Sequence, residues 1–418
     1  LPLANNRLFR MRRGLLWLLG MLASWPVQAQ LPSQFWGMHV HQAKHYPALP
    51  PFGSLRLWDS GVCWYQLQPA PDKWQWDLLD QRVAQAEAAG QDILYVLGQT
   101  PTWASSNPND TISPYCKGCN YNPRDLAHWE AYVRAVVQRY KGRIAYYELW
   151  NEPNFNLFYN QQADSLRLLA DAAFRIITTE DSSARVVSPG FIANNWHWQN
   201  QSGPQWMRAY FGSHTAPSCH VLGVHLYTKD STVLEWELLP LMDTVLAIQQ
   251  ALGLAHLPIW DTETGYGNTE EAKASKVLYL RGDSASAYVA RAHLLRWARG
   301  FGRFYWYGWD NLSWVGLFLL EPDYSTPTQG QLTYRQLRAW LLGAHFQSLQ
   351  IQKDGTYVLQ YRIGRQRACM VWHPVRTTDW QPKGKWRKAQ VSYLHKADTH
   401  PAGKQLQVGM VPLRLSLP

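Results

Sequence analysis

The sequence predicts an α/β fold: a (β/α)8 TIM barrel followed by a small C-terminal antiparallel β domain. Three observations point there. Short β-rich apolar runs alternate with amphipathic helical stretches from about residue 35 to 345, the runs number eight, and after about residue 346 the pattern turns to period-two alternation broken by turn residues. The runs are 35–40, 54–58, 92–98, 144–150, 185–189, 221–227, 258–262 and 303–307. The clearest helices between them are 77–90, 125–140, 163–180, 235–253 and 284–300. Gly90 stands where a helix closes on a left-handed residue. The first unit is cramped: about a dozen residues, three of them proline, separate the first two runs, so its helix is short or missing. No G-x-G-x-x-G opens a helix after a strand, which argues against an open doubly wound sheet.

The C-terminal segment reads TYVLQYRI, ACMVWHP, AQVSYLH and LQVGMVPLRLSL, with a turn at Lys353-Asp354-Gly355. The expected organisation is a secretory signal over 1–29, the barrel over 30–345 and a β-sandwich-like domain over 346–418. The signal is read from Arg12 and Arg13, the apolar stretch 14–22 and the small-x-small pattern Val27-Gln28-Ala29. That stretch is shorter than the roughly 20 residues a bilayer span requires, so no stable membrane span is expected after cleavage, and an uncleaved anchor is the alternative. The expected location is therefore exported, periplasmic or secreted.

With 46% hydrophobic and 17% charged residues, the 418-residue chain is not disordered, and a core of this size requires no disulfide staples. A formal charge of +10 without a run of five Lys or Arg argues against nucleic acid as a partner. The 23 Trp and 22 Tyr suggest a carbohydrate partner, since sugar faces stack on indole; Trp-rich packing is the alternative. Of the five cysteines, Cys116 and Cys119 form C-K-G-C in a loop bracketed by Pro114 and Pro123. In an exported chain this reads as a local disulfide, and no second ligand pair supports a metal. Pairing of Cys63, Cys219 and Cys369 stays open.

Reactive groups of such a barrel sit at the C-terminal ends of its strands. The fourth run ends Glu148-Leu149-Trp150-Asn151-Glu152-Pro153-Asn154, and the seventh Trp260-Asp261-Thr262-Glu263-Thr264-Gly265. These ends lie across the barrel from each other, so Glu152 and Glu263 can face one another over a cleft. Two opposed carboxyls are what glycosidic cleavage requires: one protonates the leaving oxygen, the other attacks the anomeric carbon or activates water. Alternation places Glu148 and Trp150 on the side of Glu152, with Arg56 a cation partner for Glu148, and Asp261 on the side of Glu263.

W-N-E-P-N at a fourth strand end with T-E-T-G at a seventh resembles the clan of retaining glycoside hydrolases built on (β/α)8 barrels. Within it the chain is most similar to glycoside hydrolase family 39, which includes β-xylosidases, α-L-iduronidases and bacterial exopolysaccharide hydrolases. LRLWDSG, LYVLGQTPTWAS, GVHLYT and FYWYGWDN at other strand ends carry the likeness, over roughly residues 35–320. The resemblance implies Glu152 as general acid/base, Glu263 as nucleophile and Asn151 as the donor to the sugar 2-hydroxyl. It also implies that Arg56 holds Glu263 ionised, that His225 and Tyr227 orient Glu263, and that Trp306 forms the subsite floor in competition with Trp309 and Trp314. Trp103 stacks a sugar or merely caps the third strand; His39 lines the cleft or is an ordinary surface histidine.

The expected function is an exported retaining glycoside hydrolase using no metal or cofactor, endo-acting on a polysaccharide such as a bacterial exopolysaccharide. Two alternatives stay open: an exo-acting xylosidase- or uronidase-like enzyme, and a non-catalytic polysaccharide-binding protein.

Overall fold

The structure is a computed structural model that describes residues 30–46, 49–194, 201–212, 217–228, 234–266, 279–311, 315–394 and 398–418. The expected signal segment lies outside the described residues. None of the described helices is long and apolar enough to cross a membrane.

Nine parallel strand segments form the first sheet: β1 Trp36–Met38, β2 Ser54–Leu57, β3 Asp92–Leu97, β4 Tyr146–Leu149, β5 Arg185–Val187, β6 Phe191–Ile192, β7 Leu222–His225, β8 Ile259–Thr264 and β9 Phe304–Trp306. Their order is β5-β4-β3-β2-β1-β9-β8-β7-β6. The two ends of that list are consecutive in the chain. β5 and β6 are one barrel strand interrupted at Ser188-Pro189-Gly190, where Pro189 offers no N–H to a ladder. β5 pairs with β4, β6 pairs with β7, and Val187 bridges to Val221, so the sheet closes as eight strand positions.

The helices follow the strands as the periodicity requires: α1 Trp64–Leu67 and α2 Asp77–Ala88 after β2, α3 Leu126–Arg139, α4 Ala163–Glu180, α5 Gly203–Phe211, α6 Leu234–Ala251, α7 Gly282–Ala298 and α8 Gln329–Leu341. Asp125 caps α3 by accepting from the Ala127 amide. Gly90 takes φ +64° just beyond α2, a conformation that costs glycine little. The first unit holds only a 3₁₀ turn, Ala43–His45, among its described residues.

The C-terminal part is antiparallel. β10 His345–Ile351, β11 Tyr357–Ile363, β12 Gln366–Trp372, β14 Gln390–Tyr393, β15 Thr399–Pro401 and β17 Leu413–Ser416 form a sheet in the order β10-β11-β12-β17-β14-β15, and β13 Thr378–Trp380 pairs with β16 Leu406–Val408. Alternation divides β11: Tyr357, Leu359 and Tyr361 join the barrel's core, while Val358 joins the domain's own core with Trp380, Val391 and Val408. Trp372 Nε1 donates to Glu235 Oε1 on α6, fastening the domain to the barrel.

Among the described residues the tryptophans serve mainly packing. Trp36, Trp64, Trp129, Trp150, Trp297, Trp306 and Trp372 are fully buried.

Candidate active site

The C-terminal strand ends converge on one buried cation. From β2, Arg56 donates through Nε to Glu148 Oε2 at 2.5 Å, through Nη1 to Glu263 Oε2 at 2.7 Å and through Nη2 to Asn151 Oδ1 at 2.7 Å. Its planar fork is suited to such multiple engagement. Thr262 Oγ1 completes the Glu148 shell by donating to Oε1 at 2.6 Å, and Tyr227 Oη donates to Glu263 Oε1 at 2.9 Å. Glu152 receives neither the cation nor a tyrosine. Its carboxylate meets His225 Nδ1 at 2.7 Å, and its backbone N–H donates to Gly190 O.

These environments separate two carboxyls that lie close together. Ligand atoms of Glu152, Glu263 and His225 all lie within 4.8 Å of one another, and both glutamates are buried. Burial, and then the neighbouring Glu263, push the Glu152 carboxyl well above the usual range. Burial pushes Glu263 up to about 7, against the pull of Arg56 and Tyr227. The pair therefore shares a proton, and that proton belongs to Glu152, which lacks the donors Glu263 has. Burial followed by the field of Arg56 keeps His225 neutral. The three groups are also the described set whose atoms could meet around a metal ion; Glu263 already accepts from Arg56 and Tyr227, and Glu152 meets His225 Nδ1.

Several buried polar atoms at this end have no partner among the described residues: Asn151 Nδ2, both amide atoms of Gln99, His39 Nδ1 and His225 Nε2. Buried polar groups are nearly always paired, so a cluster of unpaired ones at strand ends marks a place where a polar ligand docks. Asp59, at φ +55°, adds a half-buried carboxylate held by Tyr115 Oη at 2.7 Å and Tyr307 Oη at 2.9 Å. Left-handed backbone also occurs at Gln99, Trp150 and Glu152, gathering strained conformations at the same end.

Residues 94–311, just over half of the chain, match the family model described as glycosyl hydrolase catalytic core. The chain belongs to that family. Solved structures similar to this glycosyl hydrolase include a family 39 glycoside hydrolase from Bacteroides cellulosilyticus, at 17% identity and TM-score 0.67, covering 88% of this chain and 76% of that one. A family 39 β-xylosidase from Caulobacter crescentus matches at 16% identity and TM-score 0.64, covering 93% and 97%. A family 30 endoxylanase from Clostridium papyrosolvens matches at 13% and 0.60, covering 94% and 95%. At these identities the likeness is one of fold, and it is the clan fold that the strand-end motifs resembled. No curated protein matches the chain.

Among the residues singled out in the sequence, this glycosyl hydrolase brings Arg56, Asn151, Tyr227 and Glu263 into one hydrogen-bonded set and holds the Glu152–His225 pair within 4.8 Å of Glu263. Three expectations change, and Trp103 takes one of its two readings. His225 contacts Glu152, not Glu263, because it lies on β7 across from the fourth strand end. Trp306 is not at the cleft: it is fully buried outside the barrel, stacked on His293 and edge-on to Tyr288 of α7, while Tyr305 and Tyr307 take the inner side of β9. Trp309 is buried in the main core, and Trp314 lies outside the described residues. Trp103 caps the third strand, donating to Gln68 O and packing edge-on against Trp64 and His128. His39 is no surface residue: it is fully buried, with Nε2 3.2 Å from Thr262 O and Tyr307 edge-on at 4.9 Å.

Two alternations also fail locally. Asp261 turns outward to Arg296 of α7 (2.5 Å), because the β8–β9 register shifts between Asp261 and Thr264, and the shift lets Thr262 and Glu263 both reach the inner network. Trp150, at φ +75°, leaves the side of Glu148 and packs against Trp129 and Tyr159. Asp59, Gln99 and Tyr307 were not singled out. Each stands inside a strand-end motif, and for Tyr307 the alternation from Tyr305 was the available signal.

Proposed function

We propose that the protein is an exported, retaining glycoside hydrolase that cuts within a polysaccharide by double displacement, with Glu152 as acid/base and Glu263 as nucleophile. The observation that carries this reading is the approach of the two carboxyls to within 4.8 Å, with Arg56 and Tyr227 donating to Glu263 and neither donating to Glu152. Retaining enzymes hold their carboxyls about 5–5.5 Å apart, whereas inverting ones leave about 6.5–9.5 Å for a water molecule.

In the first step, Glu152 gives its proton to the leaving oxygen as Glu263 attacks the anomeric carbon. With the Nδ1–H tautomer of His225 donating to Oε1, the acid proton resides on Oε2. Arg56 and Tyr227 stabilise the Glu263 carboxylate until it is esterified. Its negative charge then disappears, the Glu152 pKa falls, and Glu152 takes a proton from the incoming water as the water oxygen bonds to the anomeric carbon and the ester bond breaks, releasing Glu263 as a carboxylate. Asn151 has its Oδ1 held by Arg56, which leaves the buried Nδ2 as a donor for the 2-hydroxyl.

Export is supported by the N-terminal charge and hydropathy pattern and by the Cys116–Cys119 disulfide. Action within a chain is supported by the long segment 98–125 between β3 and α3, which gives this end of the barrel material for an extended groove. Incubation with a panel of activated 2-deoxy-2-fluoro glycosides, followed by peptide mapping, tests the mechanism. One sugar should label Glu263, and oligosaccharides released from a polymer should first appear with the anomeric configuration of the cleaved bond. Inverted products would overturn the reading.

A further inference from the structure

The charge of this chain is distributed unevenly. Residues 345–418 hold twelve Lys and Arg against three Asp and no Glu, a formal +9 out of +10 for the whole chain. Residues 30–344 hold 24 basic and 27 acidic residues. The positive charge of the described protein therefore belongs to the β domain, and within that domain it gathers at one end.

The register shows which end. Arg362 is opposite Arg367 across β11 and β12, Ala368 is opposite Ser416, Ser416 is opposite Gln390, and Gln390 is opposite Pro401. This transverse row crosses five strands. At it or just beyond it stand Arg362, Arg365 and Arg367 in the β11–β12 hairpin, Lys385, Arg387 and Lys388 in the turn before β14, and Lys404 after β15, all exposed. The Gly403 amide donates to Arg387 O, which brings the β15 end to that turn. None of the seven cations forms an ion pair with a described carboxylate. Asp354 and Asp398 adjoin the far ends of their strands, and Asp379 contacts Gln407 on the small sheet. Like charges directly opposite on neighbouring strands are unfavourable, so the Arg362–Arg367 pair is a cost that a bound anion would relieve.

We infer that this end of the β domain is a docking surface for an acidic, carboxylate-bearing polysaccharide, holding the polymer while the barrel acts on it. Strand ends repeat every 4.8 Å or so, and five strands give a row roughly 19 Å long. That repeat suits one acidic sugar per strand of an extended glycan. Half-buried Trp386, with Lys385 Nζ 5.8 Å from its ring centre, adds an apolar ring face among the cations. The choice of a polysaccharide over another polyanion depends on the hydrolytic reading of the barrel.

Affinity electrophoresis of the full chain in gels containing polygalacturonate tests this, with dextran as the neutral control and duplex DNA as the rival polyanion. The wild type should be retarded by polygalacturonate and not by dextran, and release at about 1 M salt is expected because the Debye length falls to about 3 Å. The variant Arg365→Gln/Arg367→Gln/Lys388→Gln/Lys404→Gln changes exposed side chains that make no side-chain hydrogen bond to a described residue. It should bind about tenfold or more weakly while hydrolysing a small aryl glycoside at the wild-type rate. An unretarded wild type, or a variant retarded equally, overturns the inference. Tighter binding to DNA than to polygalacturonate at equal charge concentration overturns the polysaccharide in favour of nucleic acid. Retardation is read without turnover, so a failed search for hydrolysis would count against the barrel's proposed mechanism and leave this measurement decisive.

Discussion

Replacing Arg56 by Met is the perturbation that most directly separates the two tasks of the site. Arg56 is buried and donates to Glu148, Glu263 and Asn151 at once. Without it, two buried carboxylates lose their cation, and breaking a buried pair costs about 3–5 kcal/mol. For the nucleophile, a neighbouring cation lowers a carboxyl pKa by about 1–3 units, so its loss raises Glu263 above its value of about 7. At pH 7 the ionised fraction then falls about 5- to 500-fold from its starting half, and the acid limb of kcat/KM moves alkaline by about 1–3 units. Adding Glu148→Gln removes one stranded carboxylate and should recover about half of the lost stability without restoring activity. Urea midpoints and pH–rate profiles with an activated aryl glycoside measure both effects. A stability loss below about 1 kcal/mol, or an acid limb that does not move, would refute the shared-cation account.

Other expectations follow from the same geometry. Glu152→Gln should remove the alkaline limb of the pH–rate profile and leave the acid limb nearly in place, since Glu152 is protonated when Glu263 ionises. It should also slow substrates with poor leaving groups more than activated ones. Wild-type stability should fall as pH rises from about 4.5 to about 7, because the folded state keeps protons on Glu152 and Glu263 that the unfolded chain has released, with Glu263 contributing up to about 3 kcal/mol. Glu263→Gln should lessen that slope in thermal melts and leave the part due to Glu152. Tyr227→Phe removes a donor to the Glu263 carboxylate and should shift the acid limb to higher pH. Gly190→Ala would place a Cβ 2.5 Å from His225 Nε2 and 2.6 Å from Glu148 Oε1. It should cost about 1–3 kcal/mol by overpacking and lower kcat, measured against Gly223→Ala as a more tolerant neighbour.

The barrel was legible because hydrophobic period and capping residues are local properties, and all eight expected runs overlap an observed strand. The interruption at Pro189-Gly190 begins at the end of the fifth run and β6 lies beyond it, and only tertiary pairing shows that β5 and β6 are one strand whose two halves bond to different neighbours. In the site, motif spacing identified both glutamates and Arg56. Period-two alternation then misdirected Asp261 and Trp150, because a register shift in one strand and a left-handed residue in the other reverse the side chain without altering the sequence pattern. Trp306 was misassigned for the opposite reason: there the alternation holds, and it sends Tyr307 inward instead. Composition pointed to a carbohydrate partner, as the family match does, although most of the described tryptophans serve packing; the net charge, spread over the whole chain in the arithmetic, is concentrated in one small domain.

The roles of the two glutamates are decided by distribution, since their burial is the same. Three carboxylates, Glu148, Glu152 and Glu263, surround one arginine, and three groups with at most one cation cannot all be charged in a buried site. Arg56 spends its donors on Glu148 and Glu263, and the neutral His225 facing Glu152 adds no charge of its own. The proton thus settles on Glu152 before any substrate arrives, so the acid is loaded by the same geometry that readies the nucleophile. Glu148 never approaches the substrate in this account, yet it anchors Arg56 through Nε and thereby sets where Nη1 meets Glu263. If that is its task, Glu148→Gln alone should keep the labelling chemistry on Glu263 and lower kcat through a looser arginine, with the acid limb moved acidward because Arg56 then has one carboxylate left to neutralise. An acid limb moved alkaline by this variant would mean that Glu148 acts on Glu263 through some route other than the shared cation.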